Sequence, residues 1–202
     1  FTHNATSLIL PGAANIPTAA GDVAVMVSLG SGNWKCVNYA KASGEAVVGS
    51  ASAGDTVQVV HTQTGAVATG TTVLPFDDTI PQNTEGDEYI TRAITPTNAS
   101  NKLVIEFSGF VSVSSDIDVG IALFQDATAG SLAAVATSGG STNTARECLL
   151  RHEMAAGTTS ATTFKIRIGP SSAATVTFNG AAGARLFGGV AASSLRIWEI
   201  AV

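Results

Sequence analysis

The chain has 202 residues, of which 45% are hydrophobic and only 12% charged, with a net charge of −5. That length holds one ordinary domain or two small ones. Its ten scattered basic residues argue against a duplex nucleic-acid ligand. It contains no run of 18 apolar residues that would read as a membrane-spanning helix, and no charged-then-apolar leader opens it. The first residue is Phe1 rather than Met, so the chain is expected to be a processed or ordered part of something longer. A typical domain is about 25% charged. A surface this short of charge is expected to find cover in an oligomer, with Ser, Thr and Asn sharing the solvation.

The patterning is almost entirely that of β-strands: short runs of Val, Ile, Thr and Phe broken by Gly, Asn, Asp, Pro and Ser. No helical spacing of apolar residues recurs, and the flanks of Ala133–Ala136 mark it as strand or loop. From Phe1 to about residue 45 a small β module is expected, with strands at Ser7–Leu10, Val23–Leu29 and Trp34–Tyr39. Gly30-Ser31-Gly32-Asn33 forms a hairpin connection between the last two. About forty residues is little for an independent core, so this module is expected to lean on other chains or on upstream sequence. Small polar residues over 46–55 predict a linker with one short strand at Ala46–Val48.

From residue 56 the strands lengthen. Candidates are Thr56–Thr62, Tyr89–Thr95, Lys102–Ser112, Val119–Gln125, Leu132–Ala136, Glu147–Met154, Thr162–Ile168, Thr175–Phe178 and Leu195–Val202. In the third, Leu103, Ile105, Phe107 and Val111 share one face, against Val104, Glu106, Ser108 and Phe110 on the other. In the last, Leu195, Ile197 and Glu199 alternate with Arg196, Trp198 and Ile200. Eight or nine antiparallel strands over 56–202 predict a jelly-roll-like sandwich. The final run stays apolar to Val202, so a buried strand is expected there, at an oligomer axis.

Sites are harder to find. Asp77, Asp78, Glu85, Asp87 and Glu88 crowd one loop, the oxygen-rich composition that Ca²⁺ takes. The turn residues Pro75, Pro81, Asn83 and Gly86 account for the loop equally well. Asp116 and Asp118 are spaced as a glycosidase pair or simply as a turn. His3, His61 and His152 have no ligand spacing, which leaves only a three-fold site with one His from each chain. Trp34, Trp198, Tyr39 and Tyr89 are either sugar platforms or packing anchors, with Trp198 expected to bury beside Ile200. Cys36 and Cys148 sit in alternating apolar runs and are expected as buried free thiols. Serine-hydrolase and phosphate-binding motifs are absent. No catalytic, cofactor-binding or metal residue is assigned. Asn4-Ala5-Thr6 and Asn98-Ala99-Ser100 match the glycosylation sequon.

Four stretches carry a resemblance. THNATSLILPGAANIPTAAGDVAVMVSLGSGNWKCVNY resembles a short module of bacteriophage tail-fibre and other virion proteins. TQTGAVATGTTVLPFDDTIPQNTEGDEY, ALFQDATAGSLAAVA and TFNGAAGARLFGGVAASSLRIWEI resemble the β-rich C-terminal domain that follows it. The resemblance implies a location in the virion, assembly in the bacterial cytoplasm, and a homotrimeric tip without enzymatic activity. It further implies contact with other virion proteins and attachment to a host surface glycan or protein. It leaves open whether the appendage is a tail fibre, a tail spike or a head fibre. The alternatives are a capsid decoration or head-fibre protein with no receptor role, and a polysaccharide depolymerase spike. Too short for a long β-helix, the chain shows no repeated coil period.

Overall fold

The computed structural model describes residues 1–44, 51, 53–138 and 140–202. The expected strand at 46–48 and most of the expected linker at 46–55 lie outside the described residues. The chain divides into two compact units, Phe1–Ser52 and Ala53–Val202.

The first unit is a three-stranded sheet. The hairpin strands β2 (Val23–Gly30) and β3 (Asn33–Ala40) run antiparallel, and the short β1 (Leu8–Ile9) lies parallel to β3. Extension of both long strands shrinks the expected four-residue connection to Ser31 and Gly32. Both take positive φ, 53° and 81°, as a type I′ hairpin turn requires. Leu10, Ile16, Cys36 and Tyr39 form the buried cluster of this unit. The opposite alternation leaves Val23, Val25, Val27 and Leu29 exposed.

The second unit is a sandwich of two antiparallel sheets. One has the order β4 (Thr56–Thr64), β15 (Ser193–Ile200), β7 (Lys102–Val113), β10 (Arg146–Ala155). Two short strands, β12 (Val176–Phe178) and β5 (Ala68–Gly70), extend this sheet beyond the end of β15, along Val111–Val113 of β7. The other sheet has the order β6 (Asp87–Ile94), β11 (Thr162–Pro170), β8 (Val119–Gln125), β9 (Ala133–Thr137). A two-stranded ribbon joins β13 (Gly180–Ala181) to β14 (Ala184–Arg185). Among the long strands the pairs nest: β4 with β15, β6 with β11, β7 with β10, β8 with β9. A hairpin rolled up in this way is a jelly roll, so the fold is the all-β, antiparallel, jelly-roll-like sandwich the alternation predicts. Among the described residues no helix is long and apolar enough to cross a membrane.

Alternation decides the core. Leu103, Ile105 and Phe107 of β7, Leu195 and Ile197 of β15, and Leu150 of β10 point inward from one sheet. Ile121 and Leu123 of β8 meet them from the other, with Phe164, Ile166 and Ile168 of β11. Burying a side chain of this size contributes about 1.5–3 kcal/mol. The last strand is central in its sheet, between β4 and β7, as an apolar terminal run requires. It stops at Ile200, however, and Val202 is exposed.

Candidate interaction surface

The two sheets share one core but present very different outer faces. On the β6–β11–β8–β9 sheet, Gly120, Ala122 and Phe124 of β8 point outward and yet are buried. Their cover is the segment between β5 and β6. Leu74 packs on Ala122 and Phe124, and its amide donates to Pro170 O at 3.0 Å. Further along, the Asn83 amide donates to Ala129 O at 2.7 Å, and the Ser131 amide to Pro81 O at 2.9 Å. Arg167 reaches up to the same segment, with Nε on Glu85 O at 2.9 Å and an Nη on Gly86 O at 2.7 Å. Gly169 is needed beneath this strap, because a Cβ there would lie 2.5 Å from Thr72 O.

The strap is the acidic loop that composition marked for Ca²⁺, and its carboxylates are spent separately. Asp87 accepts from the Thr72 amide at 3.0 Å and from its hydroxyl at 2.7 Å. Asp77 accepts from the Thr79 amide at 2.9 Å and from its hydroxyl, and these bonds lower its pKa. Glu85 accepts from the Gln82 amide at 2.8 Å, and Glu88 pairs with Lys165 at 3.8 Å. No group of three or more His, Cys, Asp or Glu side chains among the described residues converges on a metal position. Asp116 and Asp118 are exposed in the turn from β7 to β8, with Ile117 between them packed on the core.

Among the described residues of the sandwich unit, the outer face of the other sheet has no such strap. From β15 it presents Arg196, Trp198 and Ile200; from β7, Lys102, Val104, Glu106, Ser108 and Phe110. From β10 it presents Glu147, Leu149, Arg151 and Glu153, and Val59 and His61 come from β4. Cross-strand register sets these in rows. Val59, Trp198, Val104 and Glu153 form one, and His61, Arg196, Glu106 and Arg151 the next. A shallow groove of about 380 Å³ runs over Lys102, Val104, Glu106, Arg151, Glu153, Trp198 and Ile200. Leu149 is 59% exposed and Val59 46%. Trp198 is half-buried on this outer face rather than packed in the core, with the Arg196 guanidinium 5.4 Å from its ring centroid.

The other aromatic candidates are dispersed. Tyr89 is the extra residue of a bulge opposite Ile166 and Arg167, which turns its ring inward onto Phe178, at 5.0 Å between centroids. Tyr39 is buried, and its hydroxyl donates to Asp22. Trp34 is 45% exposed on the first unit. Both thiols are free and buried, as expected, and burial pushes Cys148 up to about 12.

Sequence alternation placed Glu199 on the inward side with Leu195 and Ile197, without revealing what it does there. It is fully buried and accepts from Gln58 Nε2 and Asn101 Nδ2, both at 2.6 Å. The Thr97 amide and hydroxyl donate to it at 2.8 and 2.7 Å. Burial pushes its pKa up, but these donors together outweigh that and hold the carboxyl at about 2. So saturated a carboxylate is neither an acid nor a nucleophile near neutrality. It ties the loop after β6 to the last strand.

No family model matches the chain, and no curated protein matches it. Solved structures do. The Eiger TNF of S. frugiperda is 11% identical with a TM-score of 0.40, over 71% of this chain and 93% of that one. A structure of the infectious bursal disease virus Gx strain is 11% identical with a TM-score of 0.33, and the VP2 subviral particle of infectious bursal disease virus is 11% identical with 0.30. Each of these two alignments covers 87% of this chain but only 41% of the other. At this level of likeness the jelly-roll assignment stands on the chain's own strand pairing.

Proposed function

We propose that this chain is a non-enzymatic bacteriophage virion protein of fibre or spike type, homotrimeric through its sandwich unit, that serves structural display and attachment to a host surface. One observation carries the reading. The sandwich clothes one outer face with its own strap and leaves the other, built on the last strand, bare, apolar and charged. Apolar patches on a soluble surface mark interaction sites, and the overall charge content of 12% points the same way. Three joined copies present any weak glycan or protein contact three times, and linked sites raise avidity by about 10² to 10⁴.

Of the two carboxylates that line the groove, Glu153 is committed to Lys102 and Arg151. The most strongly perturbed acidic side chain, Glu199, is committed to holding a loop. Host capsule incubated with the chain is expected to yield no new reducing ends. Light scattering on the purified chain tests assembly, with three times 20.3 kDa as the expected mass. Gold-labelled antibody on intact virions tests location, and competition of the chain with phage adsorption tests attachment. A stable folded monomer overturns the trimer, and unlabelled particles overturn the virion role.

A further inference from the structure

The bare face has an internal charge arrangement that selects one kind of partner. Its outward side chains include three cations, Lys102, Arg151 and Arg196, and three carboxylates, Glu106, Glu147 and Glu153, so it sums to zero on a chain of net charge −5. Within the chain, Glu153 is shared by Lys102 at 3.3 Å and Arg151 at 2.9 Å. Glu106 stands directly opposite both Arg196 and Arg151 in register. Among the described residues, however, its carboxylate makes no ion pair or side-chain hydrogen bond. Arg196 makes no ion pair either and lies over Trp198 instead. In the row beside Trp198, each copy therefore offers one acid, Glu106, and one base, Arg196, that make no ion pair among the described residues; Glu147, which makes none either, lies two rows further along β10. A partner of strong single-sign charge would leave one of them opposed to its own sign. A second copy of the same chain satisfies both, and a closed ring satisfies every copy alike.

We propose that the outer face of β15, β7 and β10 docks a second copy of this chain. Trp198 sits at the centre of the contact, and Glu106 of one copy pairs with Arg196 of the next around a closed ring. This rests on the oligomeric reading above and names the surface that realises it. A large aromatic at the centre of an interface is the residue type that dominates binding energy, and a charge pair beside it sets register.

The test uses the full chain, with mass by light scattering and dissociation constant by dilution. Trp198→Ala is expected to weaken assembly at least about 30-fold, the threshold effect of a hot-spot residue. Glu106→Gln is expected to weaken it roughly tenfold, within the range of interfacial charge pairs. The double exchange Glu106→Arg with Arg196→Glu restores it to within a few-fold of the parent. Both single variants alter outward-facing side chains, and unchanged far-ultraviolet dichroism identifies them as folded. If the parent chain is monomeric at every concentration, the oligomeric reading itself fails. If the parent assembles and the folded Trp198→Ala and Glu106→Gln variants assemble equally well, the surface assignment fails while the oligomer survives. A double exchange that stays as weak as Glu106→Gln overturns the pairing between Glu106 and Arg196.

Discussion

The two outer faces of the sandwich begin from the same rule and end differently. On β8 the outward residues Gly120, Ala122 and Phe124 are apolar and buried, because a segment from far along the chain lies over them. On β15 and β7 the outward residues mix Trp198, Val104 and Ile200 with Arg196, Glu106 and Lys102, and among the described residues of the sandwich unit no strap lies over them. An outward apolar side chain therefore contributes to folding on one sheet and stays available for association on the other. What separates the two cases is a strap whose anchoring atoms are mostly backbone, donating to Pro170 and Ala129 and accepting from Ser131.

The largest expected effect breaks the covered face. Phe124→Ala removes an aromatic that is 1% exposed and should cost about 3–5 kcal/mol of folding stability by denaturant titration. The same truncation at Trp198, measured at a concentration too dilute for assembly, should cost less than about 1 kcal/mol, because its ring is only half-buried and only partly packed. Equal losses at the two positions would erase the distinction between the faces.

Next comes acid sensitivity, which tests whether the last strand is held independently of either face. The folded carboxyl of Glu199 titrates near 2, below its unfolded value of 4.5. Its contribution is therefore complete above pH 4.5 and is lost as pH falls from there towards 2. By linkage this is of the order of 2–3 kcal/mol. Glu199→Gln should remove most of that pH dependence, leaving a stability curve flatter over pH 2–4.5 and lower at neutrality.

Gly169→Ala sharpens the account of the strap. A Cβ 2.5 Å from Thr72 O and 2.8 Å from Leu74 N meets backbone that must shift. A loss of about 1–3 kcal/mol is expected, with faster amide exchange over 72–86. Exchange on β7 and β15 should remain as in the parent. The smallest effect concerns the thiols. Cys148, buried and raised to about 12, should react with a maleimide only when the sandwich opens, so its labelling rate should track global unfolding rather than pH.

Much of this fold was legible in alternation. The inward sets of β7, β11 and β15 can be read from a spacing of two, and the same pattern bounds β8 at Val119–Gln125. The short β5, β13 and β14 were missed, because two or three residues carry no period. Composition left the acidic loop open between a cation site and a solvated turn, because it counts carboxylates but not their partners. Thr72, Thr79 and Gln82, which take up Asp87, Asp77 and Glu85, are ordinary residues with no motif. Trp198 was correctly paired with Ile200 but expected to bury, since alternation says which residues share a face and not what lies above it.

The sequence by itself determined the class of the fold, the side of each long strand that meets the core, and that the apolar final run is a buried strand. Strand geometry enforces a period of two within a few residues, so these follow from local pattern. Only the tertiary structure decided that one outer face is covered and the other bare, and that Glu199 is a buried anchor. Those outcomes depend on contacts between residues as far apart as Gln58 and Glu199, or Leu74 and Pro170, which no local period encodes.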